Sequence, residues 1–383
     1  MQTLHILLTT DTWGGIWTFT LELSQQLRKQ GCRVTLVSLG PKPSTENLRE
    51  LEHADIPLYT LPWRLEWMQA AERDTAEAQR HLAWLAAELR VDLVHANHFA
   101  FACGENSYPT VLTVHSDVVS WWRHVRQMAP PPDKFHAWYR GLVLRALANA
   151  GQVVAPTRAV DRDLRQSYSC SRPVVIISNG RAAAENRPAP VKQNLAAAMG
   201  RVWDDAKQLA WLGQWKWPIP IEVAGSLRHP ENGAAPTLPQ SPEVRFLGEL
   251  NSAGRLDLLE RARLFIGCAR YEPFGLSALE AALAGCALVL ADIESQREIW
   301  GDTAYYFPPP PHPDARPALE HILASLAAAP AQCDRAATAA RRLAIERYHS
   351  SRMAKKYLHL YCQALAHGAP TPARAEIAET PCA

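Results

Sequence analysis
The sequence contains no long hydrophobic run, no paired-cysteine motif and almost no net charge. Its longest near-uniform apolar stretch, Ala281 to Ala291, has eleven residues with Gly285 inside it. A membrane-spanning helix needs ~20. The first residues, Met1-Gln2-Thr3-Leu4-His5, lack the basic start and apolar core of a signal peptide. The eight cysteines are scattered without a CxxC pair. That pattern argues against a metal site or disulfide framework and for small core residues in a reducing compartment. Forty Lys and Arg against thirty-eight Asp and Glu leave a formal charge of +2, so no global field favours nucleic acid. The expectation is a cytoplasmic protein, neither secreted nor integral to a membrane, with no nucleic-acid partner.

What is present is ordinary globular composition, 48% apolar and 20% charged over 383 residues, enough for two or three domains. Leu4 to Thr9 has strand length, and a Gly14-Gly15 turn follows. Ile16, Phe19, Leu23 and Leu27 then recur at helical spacing up to Gly31. Arg33 to Leu39, Leu93 to His95, Thr110 to His115, Val153 to Ala155 and Val174 to Ile177 are further short β-rich runs, most of them separated by helical stretches. Such alternation predicts a parallel sheet covered on both faces. Residues 181–193, with two prolines and no strand pattern, suit a linker. Alternation resumes with Leu195 to Met199, Ile221 to Ala224, Val244 to Leu247, Leu264 to Cys268 and Ala287 to Ala291. The fold class expected is α/β, with a doubly wound domain over 1–180 and a second over 194–345. The stretch 315–367 reads as helical, and 368–383 as a frayed tail.

The most informative segment is Arg270-Tyr271-Glu272-Pro273-Phe274-Gly275-Leu276-Ser277-Ala278-Leu279-Glu280. It lies at a strand-to-helix turn, on the carboxyl edge of a parallel sheet where α/β proteins bind ligands. Open N–H groups at a helix start suit a phosphate, and Gly275 permits close backbone approach. The same letters allow a structural alternative. Ser277 to Glu280 form a capping-box pattern, and Glu272 would then be a surface carboxylate.

Glu272 and Glu280 have seven residues between them, in the string EPFGLSALEA. This resembles the E-x7-E signature of retaining glycosyltransferases of the GT-B fold, closest to family GT4. The Gly14-Gly15 turn, His115 in TVHSD, Asn179-Gly180 in ISNGR, Arg201 and Lys207 in GRVWDDAK, and Gly248 in FLGEL extend the resemblance over nearly the whole chain. The resemblance implies two Rossmann-like domains facing across a cleft, with a final helix, 346–367, crossing back to the first domain. It implies a nucleotide-sugar donor on the second domain and an acceptor entering from the first. No cofactor and no metal are expected, since no carboxylate pair is placed to hold a divalent ion and Arg201, Lys207 and the helix start beside Gly275 supply positive charge.

By that resemblance Glu272 binds hydroxyls of the donor sugar and Glu280 the ribose. Backbone N–H groups of Phe274, Gly275, Leu276 and Ser277 meet the sugar and diphosphate. Arg201 and Lys207 hold the diphosphate and stabilise charge on the leaving group. Gly14 and Gly15 close over the phosphates, His115 contacts the sugar, and Gly248 lies on the donor side. Each has a plainer alternative: solvated cations for Arg201 and Lys207, a tight turn for the glycines, a structural ring for His115. The Arg201–Lys207 spacing is one residue longer than the commonest family pattern. The first loop, Asp11 to Gly15, lacks the lysine of the glycogen-synthase-like branch, which speaks against a glucan synthase.

For the acceptor, Trp121, Trp122 and Arg123 head a basic, aromatic stretch reaching Arg145. Aromatics stack on sugars, and such a face also suits an anionic membrane surface. The alternative is a helix with snorkelling cations. A carbohydrate, lipid-linked or small-molecule acceptor remains open, as does a UDP-, GDP- or ADP-sugar donor. A nicotinamide oxidoreductase is disfavoured, because Gly14-Gly15 has no third glycine and Ser38-Leu39-Gly40 stands where an acid belongs. Asp161-Arg162-Asp163 has the DxD letters of a metal-dependent GT-A transferase, but AVDRDLRQSY reads as a helix with surface charge. A non-enzymatic sugar-nucleotide binder is disfavoured by the presence of both glutamates, Arg201 and Lys207.

Overall fold
Two parallel sheets account for most of the apolar runs in the chain. The computed structural model describes residues 3–366 except 13, 104–107, 184–190, 230–232 and 239–240. The first sheet contains β1 (His5–Asp11), β2 (Arg33–Leu39), β3 (Leu58–Leu61), β4 (Leu93–Ala96), β5 (Thr110–Thr113), β6 (Gln152–Ala155) and β7 (Val175–Ile176). Their order is β3-β2-β1-β4-β5-β6-β7. The second contains β8 (Gln193–Met199), β9 (Ile221–Ala224), β10 (Val244–Gly248), β11 (Ala262–Gly267), β12 (Ala287–Ala291) and β13 (Ala304–Phe307), in the order β10-β9-β8-β11-β12-β13. Every pairing is parallel. The strand order reverses at β1/β4 and again at β8/β11. Those switch points open a crevice at the carboxyl ends of both sheets, where α/β folds take ligands.

The central strands are apolar on both faces because helices cover both. In β1, Ile6 and Leu8 pack with the helix Gly15–Lys29 through Phe19, Leu23 and Leu27, while Leu7 faces the opposite cluster. β3 and β13, both at sheet edges, are absent from the sequence reading. Each has only four residues, and Tyr59 of β3 is exposed. The expected linker 181–193 lies largely outside the described residues, as does the tail 368–383. Among the described residues no helix is long and apolar enough to cross a membrane.

The helix Pro330–Tyr348 packs on the second domain through Ala340, Ala344 and Tyr348. The chain then passes at His349, which bridges to Arg181, into the helix Ser350–Ala366. That last helix buries Met353, Tyr357, Leu360 and Tyr361 in the first domain's core. At the crossing, a Cβ on Gly180 would lie 2.8 Å from the Cα of Ser350, so only glycine lets the two backbones touch.

The docked helix is also tied by polar groups. Tyr361 Oη lies 2.6 Å from His95 Nδ1, and His95 Nε2 lies 2.8 Å from Thr113 Oγ1. Burial, and after it the neighbouring His115, pushes the His95 pKa down to about 3. The ring is therefore neutral. Tyr361, held un-ionised by burial, donates to Nδ1, and His95 Nε2–H donates to Thr113.

The unfolded chain takes up a proton at this histidine near its ordinary pKa, whereas the folded chain does not. The contribution is complete above pH ~6.5 and falls by ~1.4 kcal/mol per pH unit below it, vanishing near the folded value of about 3. Thermal melts between about pH 7.5 and about pH 5 should show this acid-side loss of stability. His95→Gln should lower stability at neutral pH and flatten the slope; an unchanged slope would contradict a neutral buried His95.

Candidate functional site
The two sheets' carboxyl ends enclose a cavity of about 950 Å³. The first domain lines it with the ends of β1 (Asp11), β4 (Asn97 and His98) and β5 (His115), and with the Gly14-Gly15 turn. The second lines it with Gly200 and Arg201 after β8, Lys207, Glu249 to Ser252 after β10, Glu272 to Ser277 after β11, and Glu280.

The segment after β11 is held from three sides. Ser295 Oγ donates to the Glu272 carbonyl at 2.5 Å, and Gln296 Nε2 to the Phe274 carbonyl at 3.0 Å. From the first domain, Thr157 Oγ1 donates to the Pro273 carbonyl at 3.0 Å. Phe274 is buried against Tyr348. Gly275, at φ 93°, caps the helix Leu276–Leu283 without any side-chain cap. The capping box read from Ser277 and Glu280 is therefore not formed. Ser277 already lies in the first turn, and Glu280 turns to Arg181 Nη2 at 3.0 Å. Arg181 also binds Glu22 at 2.9 Å. Burial opposes its charge, but Glu280 and Glu22 more than offset this and raise its pKa. The first-turn N–H groups, which have no partner within their own helix, thus border the cavity at the positive end of the helix dipole.

Both candidate phosphate cations are positioned by carboxylates. Lys207 Nζ meets Glu272 Oε2 at 2.5 Å. Arg201 binds Asp204 through Nη2 at 2.6 Å and Nε at 3.2 Å, and lies over the Trp203 ring. Burial disfavours the Asp204 carboxylate, yet Arg201 and Lys207 hold its pKa below the ordinary value. Asp204 also accepts from Trp121 Nε1 at 3.4 Å, a contact between the domains. The extra residue between Arg201 and Lys207 is absorbed in a turn, with Asp204 N–H on the Arg201 carbonyl and Lys207 N–H on the Asp204 carbonyl.

On the first-domain side, a Cβ on Gly14 would lie 3.8 Å from Arg201 Nη1, and one on Gly15 3.4 Å from Leu276 Cδ1. The turn therefore sits directly over the opposing wall. Asn97 Nδ2 donates to the Thr9 carbonyl, so its Oδ1 accepts from His115 Nε2 at 2.9 Å. Burial, and then the nearby His98, pushes the His115 pKa down to about 3. A neutral ring protonated at Nε2 presents Nδ1 as an acceptor.

Some candidates lie elsewhere. Gly248 is not among the lining residues; its carbonyl accepts from Gly225 N–H at 2.7 Å and leads the chain into Glu249 to Ser252. Of Trp121, Trp122 and Arg123 only Trp121 borders the cavity, joined farther along the stretch by Tyr139. Trp122 stands edge-on to His136, and Arg123 bonds Ser167 and Gln166. Arg140 also turns to the Ser167 carbonyl, and Arg126 crosses to Asp205 at 2.6 Å. The stretch is not one basic face, since much of its charge is spent within the protein. Asp163 is likewise not surface charge. It is buried in the helix Arg158–Tyr168 and meets His124 Nε2 at 2.8 Å. Among the described residues no three His, Cys, Asp or Glu side chains converge as a metal site.

Glu66, Trp67, Asn97 and His98 line the cavity but do not figure in the sequence reading. Asn97 and His98 directly follow β4, and position at the carboxyl end of a strand was the available signal. Glu66 follows the missed strand β3 and carried none.

Two parallel-sheet domains facing across such a cavity define the GT-B class. The family model described as "Glycosyltransferase Family 4" matches residues 13–184, and "Glycosyl transferases group 1" matches 219–342. No curated protein matches the sequence. Solved structures do share the fold. A glycosyltransferase from Rickettsia africae is 17% identical with a TM-score of 0.68, covering 96% of this chain and 100% of its own. Sucrose-phosphate synthase from Thermosynechococcus elongatus is 16% identical, TM-score 0.72, covering 95% and 100%. HepE from Anabaena, solved with UDP-glucose, is 17% identical, TM-score 0.70, covering 94% and 99%. The chain belongs to the GT4-type glycosyltransferases of the GT-B fold.

The left-handed Gly275 gives a direct test. A Cβ there would lie 3.1 Å from Gln296 Nε2 and would carry the ~1–2 kcal/mol penalty of a left-handed L-residue. Gly275→Ala should lower stability in urea denaturation by about that amount and depress transfer activity. Wild-type stability and activity together would show that the cap geometry is dispensable.

Proposed function
We propose that the protein transfers a hexose from a nucleotide diphosphate sugar to an acceptor hydroxyl, with no metal ion and with retention of anomeric configuration. One observation carries this reading. Glu272 paired with Lys207, and Glu280 paired with Arg181, flank the open helix start beside Gly275 at the cavity. Glu280, at the far end of the first turns, suits the ribose hydroxyls, and Glu272 the sugar hydroxyls. The diphosphate between them would meet the first-turn N–H groups, Arg201 and Lys207. The fold's occurrence in HepE, solved with UDP-glucose, supports the donor class.

Cleaving the sugar–phosphate bond builds negative charge on the diphosphate. Arg201 and Lys207 are already oriented by Asp204 and Glu272, so they stabilise that charge with little reorganisation. Inversion would need a general base on the face opposite the leaving group. Double displacement would need a carboxylate under the anomeric carbon. In our reading Glu272 is engaged with hydroxyls and Lys207 instead. We read the step as same-face attack: the acceptor hydroxyl passes its proton to the departing diphosphate as the sugar goes through an oxocarbenium-like state. The Gly14-Gly15 turn, against Arg201 and Leu276, helps exclude water from that step.

Glu272→Ala should abolish transfer while UDP, GDP or ADP still raises the melting temperature. Glu280→Ala should weaken nucleoside diphosphate binding roughly tenfold or more, from loss of ~1.5–3 kcal/mol of charged hydrogen bonding. Equal effects on nucleotide affinity would refute the division of roles. Activity should survive EDTA, and Arg201→Ala or Lys207→Ala should lower turnover by ~10²–10³. Activity lost to EDTA and restored by Mn²⁺ or Mg²⁺ would overturn the role given to these cations.

Stereochemistry is checked separately, by the anomeric proton coupling of the product. An α-linked donor should give an α product. A β product excludes retention, and a trapped glycosyl–Glu272 adduct would replace same-face attack with double displacement.

A further inference from the structure
The cavity wall of the first domain differs in charge from that of the second. Arg201, Lys207 and Arg255 line the second beside Asp204, Glu249, Glu272 and Glu280, so that wall is close to charge balance. The first domain contributes Asp11, Glu46, Glu50, Glu66 and Asp117 but, among the described lining residues, one Lys or Arg, Lys42. Within this acidic wall lies a buried group: Asp11, Glu66 and His98 are 3, 4 and 3% exposed. His98 Nε2 stands 3.5 Å from Asp11 Oδ2, and its Nδ1 is 3.2 Å from Thr9 Oγ1. Thr9 Oγ1 accepts Asn97 N–H at 2.8 Å, and Asn97 Oδ1 accepts from His115. Hydrogen bonds thus link His115 to His98 along the cavity, and Asp11 stands beyond at ion-pair distance, with His98 Nε2 itself lacking a hydrogen-bond partner.

Glu66 is only half satisfied. Its Oε1 accepts Phe99 N–H at 2.9 Å, but its Oε2 has no hydrogen-bond partner. A buried, unpaired carboxylate oxygen is unfavourable and is seldom tolerated without a purpose. Burial raises the Glu66 pKa despite the opposing pull of His98, as expected of a carboxyl whose second oxygen awaits a donor. Trp67, adjacent in sequence, borders the same cavity and offers the aromatic surface on which sugar rings pack.

We propose that Glu66, supported by His98 and Asp11, is the specificity-determining contact for the acceptor, and that the acceptor is an uncharged polyhydroxylated molecule, a sugar or sugar glycoside. A hydroxyl of that molecule donates to Glu66 Oε2. A phosphate or carboxylate at this position would bring Oε2 no donor and would find Lys42 as the one Lys or Arg among the described lining residues of this wall, so the subsite selects against anionic acceptors. This rests on the transfer reaction proposed above.

The experiment measures nucleoside diphosphate release from the nucleotide sugar that the protein cleaves. Acceptors are offered in pairs: glucose, mannose, galactose and N-acetylglucosamine, each against its 6-phosphate, and glucose against glucuronate. Neutral members should stimulate release and their anionic partners should not, by a ratio of at least about tenfold, as for one lost charged contact. Glu66→Gln keeps an oxygen for Phe99 but replaces Oε2 with a donor. It should raise the KM for the active neutral acceptor by about tenfold or more while the donor KM shifts less than about twofold, with melting temperature as the check on folding. Preference for a phosphorylated or uronic acceptor, silence of every neutral member, or an unchanged acceptor KM in Glu66→Gln each overturns the proposal. Binding of a nucleotide sugar with slow hydrolysis but no neutral-acceptor response condemns the acceptor assignment alone. Absence of any donor cleavage condemns the transfer reading itself.

Discussion

The docking of the last helix into the first domain is the constraint on which the cleft depends. Met353, Tyr357, Leu360 and Tyr361 are packed beside Ile6, Leu8 and Phe19, so the second domain is tethered to the first by a buried aromatic surface as well as by the earlier connection. The tether passes where Gly180 meets Ser350 and Arg181 bridges to His349. Arg181 then reaches Glu280 on the opposing wall. The residue that marks the chain's crossing is therefore also the one that orients a site glutamate, which couples domain position to site geometry.

Across the cleft the domains meet through a small cluster of Trp121 and Val125 with Ala206 and Tyr271, and through polar contacts around it. Trp121 reaches Asp204, Arg126 reaches Asp205, Thr157 holds the Pro273 carbonyl, and Glu298 accepts the N–H groups of Arg158 and Ala159 at the start of a helix. On the far side Ser252 bonds Glu46 and Glu50. Partly exposed ion pairs of this kind contribute little each, and polar interfaces between domains permit relative motion. A buried helix as anchor and polar contacts at the rim suit a cleft that admits a substrate and then excludes water.

The charges inside are arranged so that each candidate phosphate cation has a carboxylate of its own. Asp204 keeps its charge despite burial because Arg201 and Lys207 face it. Neutral histidines form the opposite case. His115 and His95 are both stripped of charge by burial: His115 borders the cavity with a neutral ring, and His95 holds the last helix through Tyr361 in the first domain's core.

Most of the fold and part of the site were legible from residue order alone, because those features are local. The central strands read as short apolar runs, and the Glu272–Glu280 spacing sits within one turn and one helix. Edge strands β3 and β13 did not read, since each has four residues of which only the last, Leu61 or Phe307, is buried, too little for an apolar period. The letters Trp121-Trp122-Arg123 suggested one surface, but successive residues on a helix do not face the same way, and only Trp121 reaches the cavity. Ser277 and Glu280 fit a capping box by spacing, yet Arg181, distant in sequence, claims the glutamate. The sequence by itself determined two doubly wound domains, the glutamate pair and the two candidate phosphate cations. Only tertiary structure decided which carboxylate holds which cation, that Asp11, Glu66 and His98 meet, and where the last helix docks. Those outcomes depend on contacts between segments tens to hundreds of residues apart, and no local spacing encodes them.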